Sequence, residues 1–186
     1  MKTVFRALVL LLPLTVAIPA SAWFDVETPA HHDDATGVVI PEITDLRNEA
    51  AQARAKRLPI LVMFSSDYCP YCSVVKNDFL KPMMFSGDYE QKILFRVLEL
   101  RAGADVIDFD GKKVNVWEFA DRYKVRVTPT LVFIDYQGKP MAQKMVGLTT
   151  PDFFGGYLDN AITTAYDHVR GGSTFACKDA HTRLTC

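Results

Sequence analysis

The sequence predicts an α/β domain, and three observations carry that prediction. Apolar runs that read as strands alternate with stretches of helical periodicity, the pattern of a sheet with helices packed on its faces. The tetrapeptide Cys69-Pro70-Tyr71-Cys72 stands where one such strand gives way to a helix. A later apolar run, introduced by Thr128-Pro129, is followed by a Gln137-Gly138 turn and a further strand, so this pair reads as an antiparallel hairpin.

The elements follow in order. Residues 1–22 read as an export signal: Lys2 and Arg6 charge its start, residues 7–18 are apolar around Pro13, and Ala20-Ser21-Ala22 satisfies the small-x-small rule for cleavage after Ala22. The apolar run is short for a membrane span. Residues 23–41 read as a turn-rich N-terminal arm with Pro29, Gly37 and Pro41. The arm contains His31-His32-Asp33-Asp34, which lacks ligand spacing on a regular element and reads as solvated chain rather than a closed metal site.

The domain proper is expected over residues 42–170, with a tail over 171–186. Across 42–57, Ile43, Leu46, Ala50 and Ala53 share a helical face, with Arg47, Glu49, Arg54 and Lys56 outside it. Residues 58–64 form the first strand. The helix after Cys72 is expected to stop near Leu80, because Pro82 disfavours a helical residue before it. Residues 83–91 read as a short helix or turn, and 93–100 as a second core strand. The polar stretch 101–114 contains Asp110-Gly111, which suggests a tight turn in a small hairpin. A helix over 115–123, strands over 131–135 and 141–146, and a last helix over 151–168 complete the series. Phe153, Phe154, Leu158 and Ile162 lie on or near one face of that helix. Gly171-Gly172 ends the compact region.

Composition narrows the function. Lys and Arg number 21 against 22 Asp and Glu, and no basic run carries interleaved aromatics, so nothing supports a nucleic-acid partner. All four cysteines follow the leader, and export places them where disulfides form. A structural role is a poor account of Cys69 and Cys72, since a two-residue gap closes a tight ring and disulfide stabilisation grows with loop length. A redox role fits the strand-to-helix junction, where helix N–H groups and the dipole lower a thiol pKa. Cys69 is then the nucleophile and Cys72, one turn on, the resolving thiol. Pro70 takes the first helical turn, where a missing N–H costs nothing. Tyr71 offers a hydroxyl or a stacking face, or is simply solvated. Lys76 adds positive potential beyond Cys72, or is an ordinary solvated helix face.

Cys177 and Cys186 admit three readings: a structural disulfide closing the tail, a second redox pair exchanging with Cys69, or a zinc site with Cys69, Cys72 and His181. The structural disulfide is the preferred one, given export, and the Cys177–Cys186 spacing is wrong for paired zinc ligands. The expected site therefore needs no metal, and no cofactor beyond the Cys69–Cys72 disulfide.

The cysteine motif, its strand and helix, and the later segment Val125-x-x-Thr128-Pro129-Thr130-Leu131-Val132-Phe133-Ile134-Asp135 with Gly138-Lys139 and Val146-Gly147 together resemble the thioredoxin family, over residues 42–169. The resemblance implies a central mixed sheet flanked by helices. It also implies a cis bond between Thr128 and Pro129, in a loop beside the cysteines where the backbone of Thr128 pairs with substrate in a short β-like contact. The other reading of Thr128 is a β-branched residue entering a strand. Within the family the chain looks most like small exported members. Its 101–114 segment is similar to extensions in periplasmic reductase domains and in thioredoxins of sulfur metabolism. Pro70-Tyr71 matches glutaredoxins and one kind of periplasmic disulfide isomerase, but residues 23–41 are too few for the dimerisation domain of such isomerases. One departure matters: many thioredoxins carry a buried Asp six residues before the first motif cysteine, and here that position is Met63. Another group or water must then take the proton of Cys72.

The expectation is a periplasmic thiol-disulfide oxidoreductase that reduces or exchanges disulfides of exported proteins, or small disulfides and dithiols, through a mixed disulfide. The resemblance implies a membrane thiol electron donor of the Dsb type. Two alternatives stand beside it: a disulfide oxidase or isomerase, and a non-catalytic binding module that presents the Thr128-Pro129 surface. The retained Cys69 and Cys72 count against the module.

Overall fold

The computed structural model of the chain describes residues 37–171. Residues 1–22, read above as an export signal, the His31–Asp34 cluster, His181, and Cys177 and Cys186 lie outside the described residues.

Helix α1 (Leu46–Lys56) begins where Asp45 supplies its cap, the Asp45 carboxylate accepting from the Arg47 amide at 2.9 Å. It ends at Arg57, whose left-handed backbone turns its N–H onto the carbonyls of Ala53 and Arg54. Residues 42–45 are not helical, contrary to the sequence reading. They run beside strand β2 (Leu94–Glu99) instead: the Ile43 amide donates to the Val97 carbonyl at 2.8 Å, and the Val97 amide to the Pro41 carbonyl at 3.0 Å. The reason is that β2 is an edge strand, and its buried backbone groups take partners from this segment.

Four strands form the sheet in the order β2–β1–β5–β6, with β1 (Ile60–Ser65), β5 (Thr130–Ile134) and β6 (Met145–Val146). β1 is parallel to β2 and antiparallel to β5, which is antiparallel to β6, so the sheet is mixed. The fourth strand is shorter than expected. Met141 still donates to the Phe133 carbonyl at 2.8 Å, but the regular ladder resumes only at Met145.

Side chains alternate across the sheet and build two cores. Ile60, Val62, Phe64, Leu94, Leu98, Val132 and Ile134 pack against α1 and α4 (Val116–Arg122), chiefly through Leu46, Ala53, Phe119 and Ala120. Leu61, Met63, Phe95, Val97, Leu131 and Phe133 face the other way, against Cys72, Val75, Leu80 and α5 (Pro151–Gly171). Every residue of β1 and β2 is buried, as in strands covered on both faces. Each large apolar side chain so buried contributes about 1.5–3 kcal/mol.

The helix after the cysteines departs from expectation. It runs as α2 (Pro70–Val74), a π-helical segment (Val75–Leu80) and α3 (Lys81–Ser86), with no stop at Leu80. Pro82 lacks an N–H and would crowd an α-helical carbonyl. The wide turn before it shifts the ladder, the Lys81 amide donating to the Lys76 carbonyl, and Pro82 then falls in the first turn of α3, where proline is tolerated.

Strands β3 (Asp105–Ile107) and β4 (Lys113–Asn115) form the small hairpin that Asp110-Gly111 suggested, Gly111 taking φ 84° and donating to the Asp108 carbonyl at 2.9 Å. α4 follows, capped by Asn115, whose side-chain oxygen accepts from the Trp117 amide at 3.0 Å. In α5 the buried stripe is Phe154, Leu158, Ile162 and Ala165, spaced by four, four and three; Phe153 faces solvent. Among the described residues, no helix is long and apolar enough to cross a membrane.

Candidate active site

β1 ends at Ser65, and the short turn Ser66-Asp67-Tyr68 delivers Cys69 to the start of α2. Cys69 is the N-cap residue, extended at φ −109°, and its Sγ accepts from the Cys72 amide at 3.1 Å. Pro70 occupies the first helical position. Cys72 lies inside the helix, 2% exposed, within the core that also holds Leu61, Met63, Val97 and Leu131. Cys69 and Cys72 are joined as a disulfide, with Cα atoms 5.2 Å apart. The pair is therefore asymmetric: one sulfur is at a partly exposed helix terminus and the other is sealed beneath it.

The Thr128–Pro129 loop meets this turn. Its peptide bond is cis, and the hydroxyls of Thr128 and Ser66 lie 3.0 Å apart in a hydrogen bond. The Gly147 amide donates to the Pro129 carbonyl at 2.7 Å, joining the loop to the end of β6. The structure thus places Cys69, Cys72, Thr128 and Pro129 at one end of the sheet. Tyr68 and Tyr71 are exposed nearby, as is Val127 before the cis bond.

Charge at the site comes from two clusters. Arg101 donates to Glu42 at 2.6 Å and stands 3.4 Å from Asp67 in the approach turn; those acidic neighbours raise its pKa. Lys76, one turn beyond Cys72, is not the free solvated lysine of the bland reading. Its Nζ donates to Glu99 at 2.6 Å, and Glu99 is a buried residue at the end of β2. The sequence reading missed Glu99. The available signal was a charge at an inward position of an otherwise core-facing strand. Among the described residues, no group of three or more His, Cys, Asp and Glu is placed to hold a metal ion.

Comparison with known proteins agrees with this architecture. Residues 46–162 match the thioredoxin-like domain family. The chain belongs to that family. Solved thioredoxins similar to it include those of Malassezia sympodialis (18% identity, 73% of this chain and 98% of that one, TM-score 0.47) and Fasciola hepatica (19%, 66% and 96%, 0.44). A poplar thioredoxin h is similar at 17% identity, covering 63% of this chain and 95% of its own, with TM-score 0.43. No curated protein matches. A thioredoxin-like domain carrying a Cys-x-x-Cys disulfide is a thiol-disulfide oxidoreductase, and its substrates as a class are protein disulfides and dithiols.

Proposed function

We propose that this thioredoxin-like protein is an exported, periplasmic reductase of disulfides, with Cys69 as the attacking thiol and Cys72 as the resolving one. The asymmetry of the pair carries the reading. Cys69 at the helix N-terminus is reachable and electrostatically favoured as a thiolate. It attacks a substrate disulfide, one substrate thiolate leaves, and a mixed disulfide forms. Buried Cys72 then attacks Cys69, releasing the second substrate thiol and closing the Cys69–Cys72 disulfide.

The Thr128-Pro129 loop is the substrate contact in this scheme, since it stands beside the approach turn and opens the β5–β6 hairpin. Export is supported by the leader-like residues 1–22 followed by four cysteines. A periplasmic reductase draws electrons from a membrane thiol donor of the Dsb type, since that compartment has no glutathione buffer. The domain spans 42–170 in this proposal, and Cys177 with Cys186 closes the tail as a structural disulfide.

Insulin reduction by the mature protein, beside Cys69→Ser and Cys72→Ser, tests the reading. Turnover lost in Cys69→Ser, with Cys72→Ser trapping mixed disulfides, is the expected result. Equal and negligible activity in all three proteins sinks it in favour of a binding module. The direction is read from the potential of the pair: a value near roughly −270 mV marks a reductant, and one near roughly −120 mV an oxidant.

A further inference from the structure

Resolution by Cys72 requires that a buried thiol lose its proton. Met63 is wholly buried and offers no carboxylate, and the core that holds Cys72 is built from apolar side chains, Leu61, Val97, Leu131, Phe154 and Leu158 among them. The strand register shows where an acceptor lies. β1 and β2 run parallel with Met63 opposite Val97 and Ser65 opposite Glu99. Met63 and Val97 face Cys72, and side chains two residues on along a strand return to the same face. Ser65 and Glu99 therefore extend the Cys72 face by one step at the end of the sheet where the disulfide sits. The other parity is occupied on the far side: Arg96 pairs with Glu49 of α1.

Three further observations converge on Glu99. Lys76 is four residues after Cys72 on the same helix, and its 2.6 Å bond holds the Glu99 carboxylate towards that helix. The Ser65 hydroxyl is completely buried and has no hydrogen-bond partner in the protein, which calls for a water. A cavity of about 210 Å³, lined by Ile40, Glu42, Lys76, Lys81, Val97 and Glu99 among others, opens beside the Lys76–Glu99 pair and has room for several waters. The charges that face Glu99 are Lys76 from the π segment, Lys81 from α3, Glu42 from the stretch before α1 and Arg101 just beyond β2.

We infer that Glu99, positioned by Lys76 and served by water at Ser65, takes the proton of Cys72 as that thiol attacks the mixed disulfide. The inference rests on the oxidoreductase reading above. In the step, the Cys72 S–H bond breaks and the proton passes through water to the Glu99 carboxylate. The Cys72 sulfur bonds to the Cys69 sulfur, the bond from Cys69 to substrate breaks, and its electron pair leaves on the substrate thiolate. That thiolate, or solvent entering by the cavity, later recovers the proton from Glu99.

The test mixes reduced mature protein with one equivalent of 5,5′-dithiobis(2-nitrobenzoate) by stopped flow between pH 6 and 9. The first thiolate released reports attack by Cys69, and the second reports resolution by Cys72. In Glu99→Gln the first phase should match wild type. The second should slow by about a hundredfold near pH 6–7, the lower end of general-base catalysis. The gap should narrow towards pH 9, as hydroxide competes with the carboxylate for the proton of the buried thiol. Glu99→Asp should recover part of the rate. A second phase with the wild-type pH profile in Glu99→Gln overturns the inference, as does equal slowing of both phases that Glu99→Asp does not relieve. If Glu99→Gln loses its far-UV dichroism, the Lys76→Gln, Glu99→Gln pair, which removes both charges together, takes its place with the same readings. Absence of any first phase in wild type overturns the oxidoreductase reading itself, and is distinct from failure of the second phase alone.

Discussion

Glu49→Ala is the perturbation whose cost is most directly worked from this structure. Glu49 on α1 pairs with Arg96 on β2, and both residues are 8% exposed. Arg96 also donates to the Phe95 carbonyl at 2.7 Å and to Gln52 Oε1 at 3.1 Å. Removing one partner of a buried ion pair costs about 3–5 kcal/mol, because the other charge stays behind uncompensated. Arg96 keeps two uncharged acceptors, so the low end applies, about 3 kcal/mol. For a chain of 186 residues that corresponds to a melting temperature lower by about 6–12 °C. Urea unfolding of the oxidised protein, followed by far-UV circular dichroism, measures it. The partner experiment is Glu49→Leu with Arg96→Met, which replaces both charges by apolar groups and should return to within about 1 kcal/mol of wild type. A loss below about 1 kcal/mol in Glu49→Ala, or a double variant as unstable as the single one, would refute the reasoning.

Three other perturbations address separate parts of the molecule. Gly138→Ala places a Cβ 2.8 Å from the Phe109 ring at a residue with φ 79°, and should cost about 2 kcal/mol or more by denaturant unfolding; a neutral result would mean that the β5–β6 turn shifts freely. Thr128→Val removes the part-buried hydrogen bond to Ser66 that holds the loop on the approach turn, so stability should fall by about 1 kcal/mol or less while the rate of insulin reduction falls clearly; an unchanged rate removes the Thr128 hydroxyl from the positioning of the substrate contact. Tyr89 donates to Asp159 at 2.8 Å, and burial, then that carboxylate, push its pKa up to about 12. The folded state thus holds this proton more tightly than the unfolded chain, whose tyrosine titrates near 10.0. Stability from Tyr89 is complete below about pH 10 and is lost as pH rises from there through about 12. Tyr89→Phe should flatten the alkaline decline in that window, and an identical decline would disprove the assignment. Tyr123, buried and also raised, contributes to the slope that remains.

The alternation of elements, the paired motifs and the hairpin at Asp110-Gly111 were legible because each depends on local signals: period, turn residues and motif spacing. What the sequence hid depends on tertiary pairing. Glu49 reads as an outer position of α1, yet Arg96 waits in the strand beneath it. Residues 42–45 look helical until the open edge of β2 claims their backbone. Pro82 is a sound stop signal in an α-helix, and a π turn removes its force. Phe153 and Phe154 are equally apolar, and only the packing of α5 decides that the second is buried. At the candidate site, Cys69, Cys72, Thr128 and Pro129 were legible from motif. Lys76 was legible as a cation beyond Cys72, but Glu99, Ser65 and the pairing of Lys76 with Glu99 were not, because they need the β1–β2 register and the packing of the helix on it.

The polar stretch 101–114 reads in the sequence as a small hairpin on a tight turn, and the structure makes that hairpin a strut. The Ile107 amide donates to the Thr44 carbonyl at 3.0 Å, the Asp108 carboxylate bonds Arg122 of α4 at 2.5 Å, and Phe109 lies against both Phe119 and Gly138. Three otherwise separate places, the entrance to α1, the side of α4 and the turn after β5, are braced by one insert. Such a segment opens only when its supports do, so its amides belong to the same cooperative unit as the sheet. A molecule that grips its outer rim at Asp110 and Lys112 meets a surface ordered in advance, and little of the binding energy is lost to immobilising it.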